Sequence, residues 1–138
     1  MNINWDDNPC FVCGMHNAVG LHAHFLYDAA QNQVHCALAV DKMWQGFEGV
    51  VHGGIIAGLL DDAMWHALYH EHDLVTMTAQ LTVRYRRPVP IDTLLNIYGT
   101  VTQFNRRIVH TKAWIESFGE TLVTAEGVFM PPKEPPHD

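Results

Sequence analysis

Nowhere in the 138 residues does an apolar run approach the roughly 20 residues that a bilayer-crossing helix needs, so no membrane span is expected. Cysteine is scarce. There are three, an odd number, and a chain of this length buries enough apolar surface not to need a disulfide framework. Positive charge is also short: 8 Lys and Arg face 15 Asp and Glu, a formal net charge of −7. That balance argues against a nucleic-acid partner or an anionic membrane surface. Charged residues make up only 17% of the chain against 48% hydrophobic, which excludes a disordered polyelectrolyte. The opening Met-Asn-Ile-Asn-Trp-Asp-Asp has neither the basic start nor the apolar stretch of a secretory signal. A cytoplasmic protein is the expectation.

What is present reads as a single domain over residues 1–130, irregular through residue 20, followed by a loose Pro-rich tail at 131–138. Residues 21–27 and 34–40 read as two strands, and 41–51 as a loop containing Gly46 and Gly49. Over residues 53–69, Ile55, Ile56, Leu59, Leu60, Ala63, Met64 and Ala67 recur at helical spacing and form a broad apolar face. Four strands follow, at 76–86, 94–104, 108–118 and 121–130. The first of these alternates, which predicts Met77, Ala79, Leu81, Val83 and Tyr85 on one face. Gly119-Glu120 reads as a tight hairpin between the last two. One apolar helix among so much antiparallel strand predicts an α+β fold in which a sheet wraps the helix.

The densest chemistry lies at the helix start, His52-Gly53-Gly54, and at Asp61-Asp62 further along. Two glycines in a first helical turn cost up to about 1 kcal/mol each relative to alanine. They make sense where something approaches the backbone closely, because the free N–H groups and positive dipole end of a helix suit a developing oxyanion. Tight packing of a strand or subunit is the plainer alternative. Helical geometry puts Asp61 and Asp62 on opposite flanks of the apolar stripe, one at the edge of a buried groove and the other facing water. A carboxylate at such an edge can act as general base or nucleophile, and periodicity does not say which of the two it is.

The His-Gly-Gly turn with an acid nine positions after the His resembles the signature of hotdog-fold thioesterases of the phenylacetyl-CoA and 4-hydroxybenzoyl-CoA type. Cys10-Phe11-Val12-Cys13-Gly14, Asn17, Gly20-Leu21, Gln45-Gly46-Phe47, Arg84-Tyr85-Arg86-Arg87-Pro88 and Asn105-Arg106-Arg107 extend the likeness over most of the chain. The resemblance implies a hydrolase for the thioester of a small, aromatic or medium-chain acyl-CoA, without metal or other cofactor. Its site would lie between two protomers of a homodimer, assembled into a homotetramer. The nine-residue count selects Asp61 as the catalytic carboxylate. Gly53 would polarise the thioester carbonyl through its N–H, Thr78 would place the water, and His52 would hold the loop at the helix start. Relatives often carry Asn or Gln six residues before the His, where this chain has Gly46; the neighbouring Gln45 is the substitute on offer. Gly54 would border the substrate, and Arg84, Arg86, Arg106 and Arg107 would pair with coenzyme A phosphates. For the arginines taken alone, a solvated strand edge is the alternative.

Other constellations carry less. Cys10-x-x-Cys13 with His16 is an incomplete zinc set; no second CxxC follows, and Cys36 is the one further thiol. A small buried pair with no metal is expected. His66, His70 and His72 fall at the helix end, where histidine favours the dipole. Trp44, Phe47 and Trp65 are large apolar groups near the proposed site. A non-catalytic acyl-CoA binding or sensing module on the same fold is the main alternative function, since it keeps the arginines and glycines without needing Asp61. A dehydratase or hydratase on that fold is the other.

Overall fold

The computed structural model describes residue 3 and residues 5–132; most of the expected tail, from residue 133, lies outside the described residues. Six strands form one antiparallel sheet: β1 (Leu26–Asp28), β2 (Gln33–Ala39), β3 (Met77–Tyr85), β4 (Leu94–Phe104), β5 (Val109–Ser117) and β6 (Glu120–Met130). Their order across the sheet is β1-β2-β4-β5-β6-β3, and α1 (Gly53–His72), the one α-helix among the described residues, packs across one face of it. This is the hotdog arrangement. No helix among the described residues is long and apolar enough to cross a membrane.

The helix forms where the apolar spacing places it and runs one turn further than expected, ending at Asp73 in the left-handed conformation. It buries Ile56, Leu59, Leu60, Ala63, Met64, Ala67 and Leu68 against Leu95 and Ile97 of β4, Val109 and Ile115 of β5 and Phe129 of β6. Glycine sets how closely helix and sheet approach. A Cβ on Gly99 would sit 2.5 Å from the Ala63 carbonyl oxygen, well inside contact distance, so β4 passes directly beneath the helix backbone.

Three expectations are corrected. The first strand is short, because residues 21–25 do not join the sheet. The Leu21 and Ala23 N–H groups instead donate to the Phe11 and Val12 carbonyls, so this stretch is tied to the N-terminal loop and still buries Leu21, Ala23 and Phe25. The hairpin turn is Phe118-Gly119, one residue earlier than expected; both residues have positive φ, and Ser117 pairs with Glu120 across it. The third correction bears on function. Alternation in β3 is broken by a bulge at Ala79, since Thr78 pairs with Phe129 and Gln80 with Val128. Directly paired residues share a face, so Thr78 lies on the helix side with buried Phe129, and Leu81, Val83 and Tyr85 follow on that same side. Met77, expected with them, faces outward and is 73% exposed. One extra residue therefore turns Thr78 toward α1.

Candidate active site

His52 is the residue from which α1 starts. Its backbone is extended, and its ring Nδ1 accepts the Gly54 N–H at 2.9 Å. The Ile55 and Ile56 N–H groups turn back to the His52 carbonyl. The Gly53 N–H has no intrahelical acceptor by position, so the positive end of the helix is presented chiefly through that group. Gly54 is exposed, but its N–H is already engaged by His52. The Gly53 carbonyl accepts the Tyr85 hydroxyl at 2.7 Å, which ties the end of β3 to the start of the helix. Sequence reasoning quoted Tyr85 without giving it this role.

An open cleft of about 490 Å³ adjoins the turn, lined by Gln45, Gly46, Phe47, Val50, Val51, His52 and Gly53. Phe47 stands 89% exposed at its mouth. The Gln45 side-chain oxygen accepts the Gly49 N–H at 3.1 Å, leaving its amide NH₂ as the donor available there. Gly46 packs against His52, where a Cβ would come within 3.3 Å of the His52 Cα. A larger residue at 46 would press on the residue that caps the helix.

Two turns along, the Thr78 hydroxyl donates to the Asp61 carboxylate at 2.6 Å. Burial pushes the Asp61 carboxyl above its ordinary value; the Thr78 hydrogen bond opposes the rise, and the charge of Asp62 adds to it. Trp65, one turn further, donates its indole N–H to the Thr76 carbonyl at 3.0 Å and so braces the approach to β3. Asp62 does not face water as expected. Its side chain is 15% exposed and turns to the opposite flank, toward Cys10 and Cys13, because the N-terminal loop folds over that side of the helix.

The structure does not bring all the candidates together. Gly53 and Asp61 lie eight residues apart on one helix, about 12 Å along its axis, so one chain does not aim both at the same carbonyl. The arginines also divide. Arg84 and Arg86 line a shallow groove on the outer sheet face with Lys112 and Glu126, and Arg87 is paired with Glu120 at 2.7 Å. Arg106 and Arg107 sit on the turn between β4 and β5, shaped by Asn105, whose side-chain oxygen accepts the Arg107 and Ile108 N–H groups. Val109 beside that turn pairs with Phe129, which also pairs with Thr78 at the start of β3, whereas Arg84 and Arg86 are at its end. The two clusters are thus separated by roughly the length of a strand, about 20–25 Å.

Comparison with known proteins agrees with this architecture. The profile of the thioesterase superfamily matches residues 48–124, from the loop before His52 to the middle of β6 and more than half of the chain. The acyl-coenzyme A thioesterase THEM4 of Rattus norvegicus is 25% identical over 129 residues, covering 91% of this chain and 55% of that protein. The chain spans about half the length of the curated relatives it matches first. A crystal structure of a thioesterase superfamily protein aligns with a TM-score of 0.81 and 29% identity, over 88% of this chain and 60% of the other. A Streptococcus mutans protein solved bound to acetyl CoA shares the fold at a TM-score of 0.72 and 15% identity, over 80% and 88% of the two chains. With a family match over more than half its length and a helix wrapped by an antiparallel sheet, the chain belongs to the thioesterase superfamily.

Proposed function

We propose that this protein hydrolyses the thioester of a small, aromatic or medium-chain acyl-CoA, with Asp61 as the catalytic carboxylate. The observation that carries this reading is the Asp61–Thr78 hydrogen bond, with Asp61 half-buried and its carboxyl held above its ordinary value. A carboxylate that is partly stripped of water is a better base and nucleophile than a solvated one. It acts in its ionised form, whether it takes a proton from water or attacks the carbonyl carbon itself. Negative charge then gathers on the carbonyl oxygen, and an N–H at a helix N-terminus is suited to receive it. In the proposed homodimer that donor is Gly53 of the partner subunit, a reading supported by the roughly 12 Å that part Gly53 and Asp61 along one helix. The β3 edge is long and unpaired in the sheet order, and such an edge favours pairing with a second copy. Gln45 and Phe47 border the cleft that would receive the acyl-CoA, and one of the two arginine clusters, Arg84 with Arg86 or Arg106 with Arg107, would supply cations for its phosphates.

A panel of acyl-CoA thioesters with a thiol-release assay tests the proposal. Release that depends on Asp61 supports hydrolysis. Tight binding of several acyl-CoAs without release of free coenzyme A would overturn it in favour of a sensing module.

A further inference from the structure

A second cluster occupies the other flank of α1. Gly58, Asp62 and His66 recur every four residues and so share one face of the helix, and the loop of residues 10–14 lies along it. Gly58 makes room for the loop: a Cβ there would come within 3.3 Å of the Phe11 ring. The loop is tightly wound, its Gly14 N–H donating to the Cys10 carbonyl at 2.8 Å. A Cβ on Gly14 would lie 2.5 Å from that same carbonyl oxygen, so only glycine fits.

The result is a convergence of ligand atoms. The Cys10 and Cys13 sulfurs and a carboxylate oxygen of Asp62 all lie within 4.8 Å of one another. His66 is 5% exposed, with its Nε2 3.5 Å from Asp62 Oδ2. Among the described residues, neither ring nitrogen of His66 has a hydrogen-bond partner, nor does Asp62 Oδ2. Buried polar atoms left in this state are costly and call for an explanation. The Asn8 side-chain amide approaches the Cys13 sulfur at 3.5 Å.

We propose that Cys10, Cys13, Asp62 and His66 form a binding site for a divalent zinc ion, which pins the N-terminal loop to the helix. Two thiolates, one carboxylate and one imidazole suit zinc. In a tetrahedral site with bonds of about 2.0–2.3 Å, ligand atoms stand roughly 3.3–3.8 Å apart. The His66–Asp62 separation already falls in that range; Cys10, Cys13 and Asp62 are mutually close, and His66, which joins them through Asp62, has to swing its ring toward the sulfurs to complete the set. The sequence pattern alone looked for ligands at His16 or Cys36. His16 is exposed; α1 supplies the third ligand, Asp62, within the cluster, and offers His66 beside it at 3.5 Å as the fourth. Binding displaces the thiol protons and leaves no redox change to balance.

Metal analysis of the full chain, expressed with zinc and purified without chelators, tests this. About one zinc per chain is expected, lost in the Cys10→Ser/Cys13→Ser double variant and weakly held in Asp62→Asn and His66→Gln. Cobalt substitution of the wild type should give intense visible ligand-field bands and a near-ultraviolet thiolate band. Because the variants can fail to fold, metal-stripped wild type is also titrated with zinc against a chromophoric chelator. Failure of that protein to take up zinc, a Cys10–Cys13 disulfide in its intact mass, or wild-type zinc content in the folded double variant would each overturn the proposal.

Discussion

Asp61→Asn separates chemistry from folding at one atom. Asparagine keeps the shape of the side chain and an oxygen to accept the Thr78 hydroxyl, but it can neither take a proton from water nor attack a carbonyl. General-base catalysis supplies about 10²–10⁴ in rate, so kcat should fall by that factor, or about 3–5 kcal/mol of barrier. Stability should move the other way. The folded protein holds the Asp61 carboxyl above its ordinary value, chiefly through burial, so the folded state binds that proton more tightly than the unfolded chain does. Stability therefore falls as pH rises from the unfolded to the folded value, and the loss is complete above both. Asparagine does not titrate. The Tm of Asp61→Asn relative to wild type should thus increase between pH 4 and pH 7 and end level with or above it. Thiol-release kinetics and thermal melts at three pH values provide the readings. Retained turnover would refute the catalytic assignment, and a variant several degrees less stable at pH 7 would refute the burial argument.

Thr78→Val removes the one hydrogen bond that lowers the Asp61 carboxyl; the acid limb of the kcat/KM profile should shift to higher pH, and an unmoved limb would show that another group sets it. Because the arginine clusters lie at opposite ends of β3, Arg84→Ala/Arg86→Ala and Arg106→Ala/Arg107→Ala should act unequally. One pair should raise KM for acyl-CoA about tenfold or more, as expected for lost charge-assisted bonds, and the other should leave it within twofold; equal effects would contradict the separation. Gly99→Ala pushes a Cβ into the Ala63 carbonyl and should cost about 1–3 kcal/mol or more in a denaturant melt. Wild-type stability there would mean that helix and sheet can part without penalty.

The fold was legible because its signals are local and repeated. The apolar face of residues 53–69 buries a continuous stripe, and the strands read at 94–104 and 121–130 bury Leu95, Ile97, Val123, Ala125 and Phe129 beneath it; such a pattern survives an error of a residue or two at its ends. The site was legible in part for a different reason: His52, the two glycines and Asp61 lie on one helix at fixed spacing. What failed depends on pairing between distant segments. The bulge at Ala79 is visible only against β6, and it alone decides that Thr78 rather than Met77 meets the helix. Asp62 read as a water-facing residue and His66 as a dipole-favouring histidine, because nothing in their neighbourhood announces that residues 10–13 fold across that flank. The 21–25 stretch has a strand's composition and lacks only a strand partner.

The division of labour between two protomers follows from helix geometry and permits a direct test. Gly53→Pro deletes a single N–H. Proline is well tolerated at the first position of a helix, and His52 before it already has the extended backbone that a following proline requires, with φ −60° and ψ 137°. The nearest atoms to a Cβ at 53 belong to the Tyr85 side chain, from 3.5 Å, which is ordinary contact, so the variant should fold. Its kcat should drop about 10²–10³-fold, the effect of losing one oxyanion donor. Asp61→Asn is inactive for an independent reason. If Asp61 of one chain works with Gly53 of the partner subunit, a mixed dimer of the two variants contains one site with both groups intact and one with neither. Random reassociation of equal amounts should then restore roughly a quarter of wild-type activity, since half the dimers are mixed and each has one competent site. If both groups serve one carbonyl from within a single chain, every site in the mixture carries a defect and mixing restores nothing. The 12 Å between them along α1 is the reason to expect recovery.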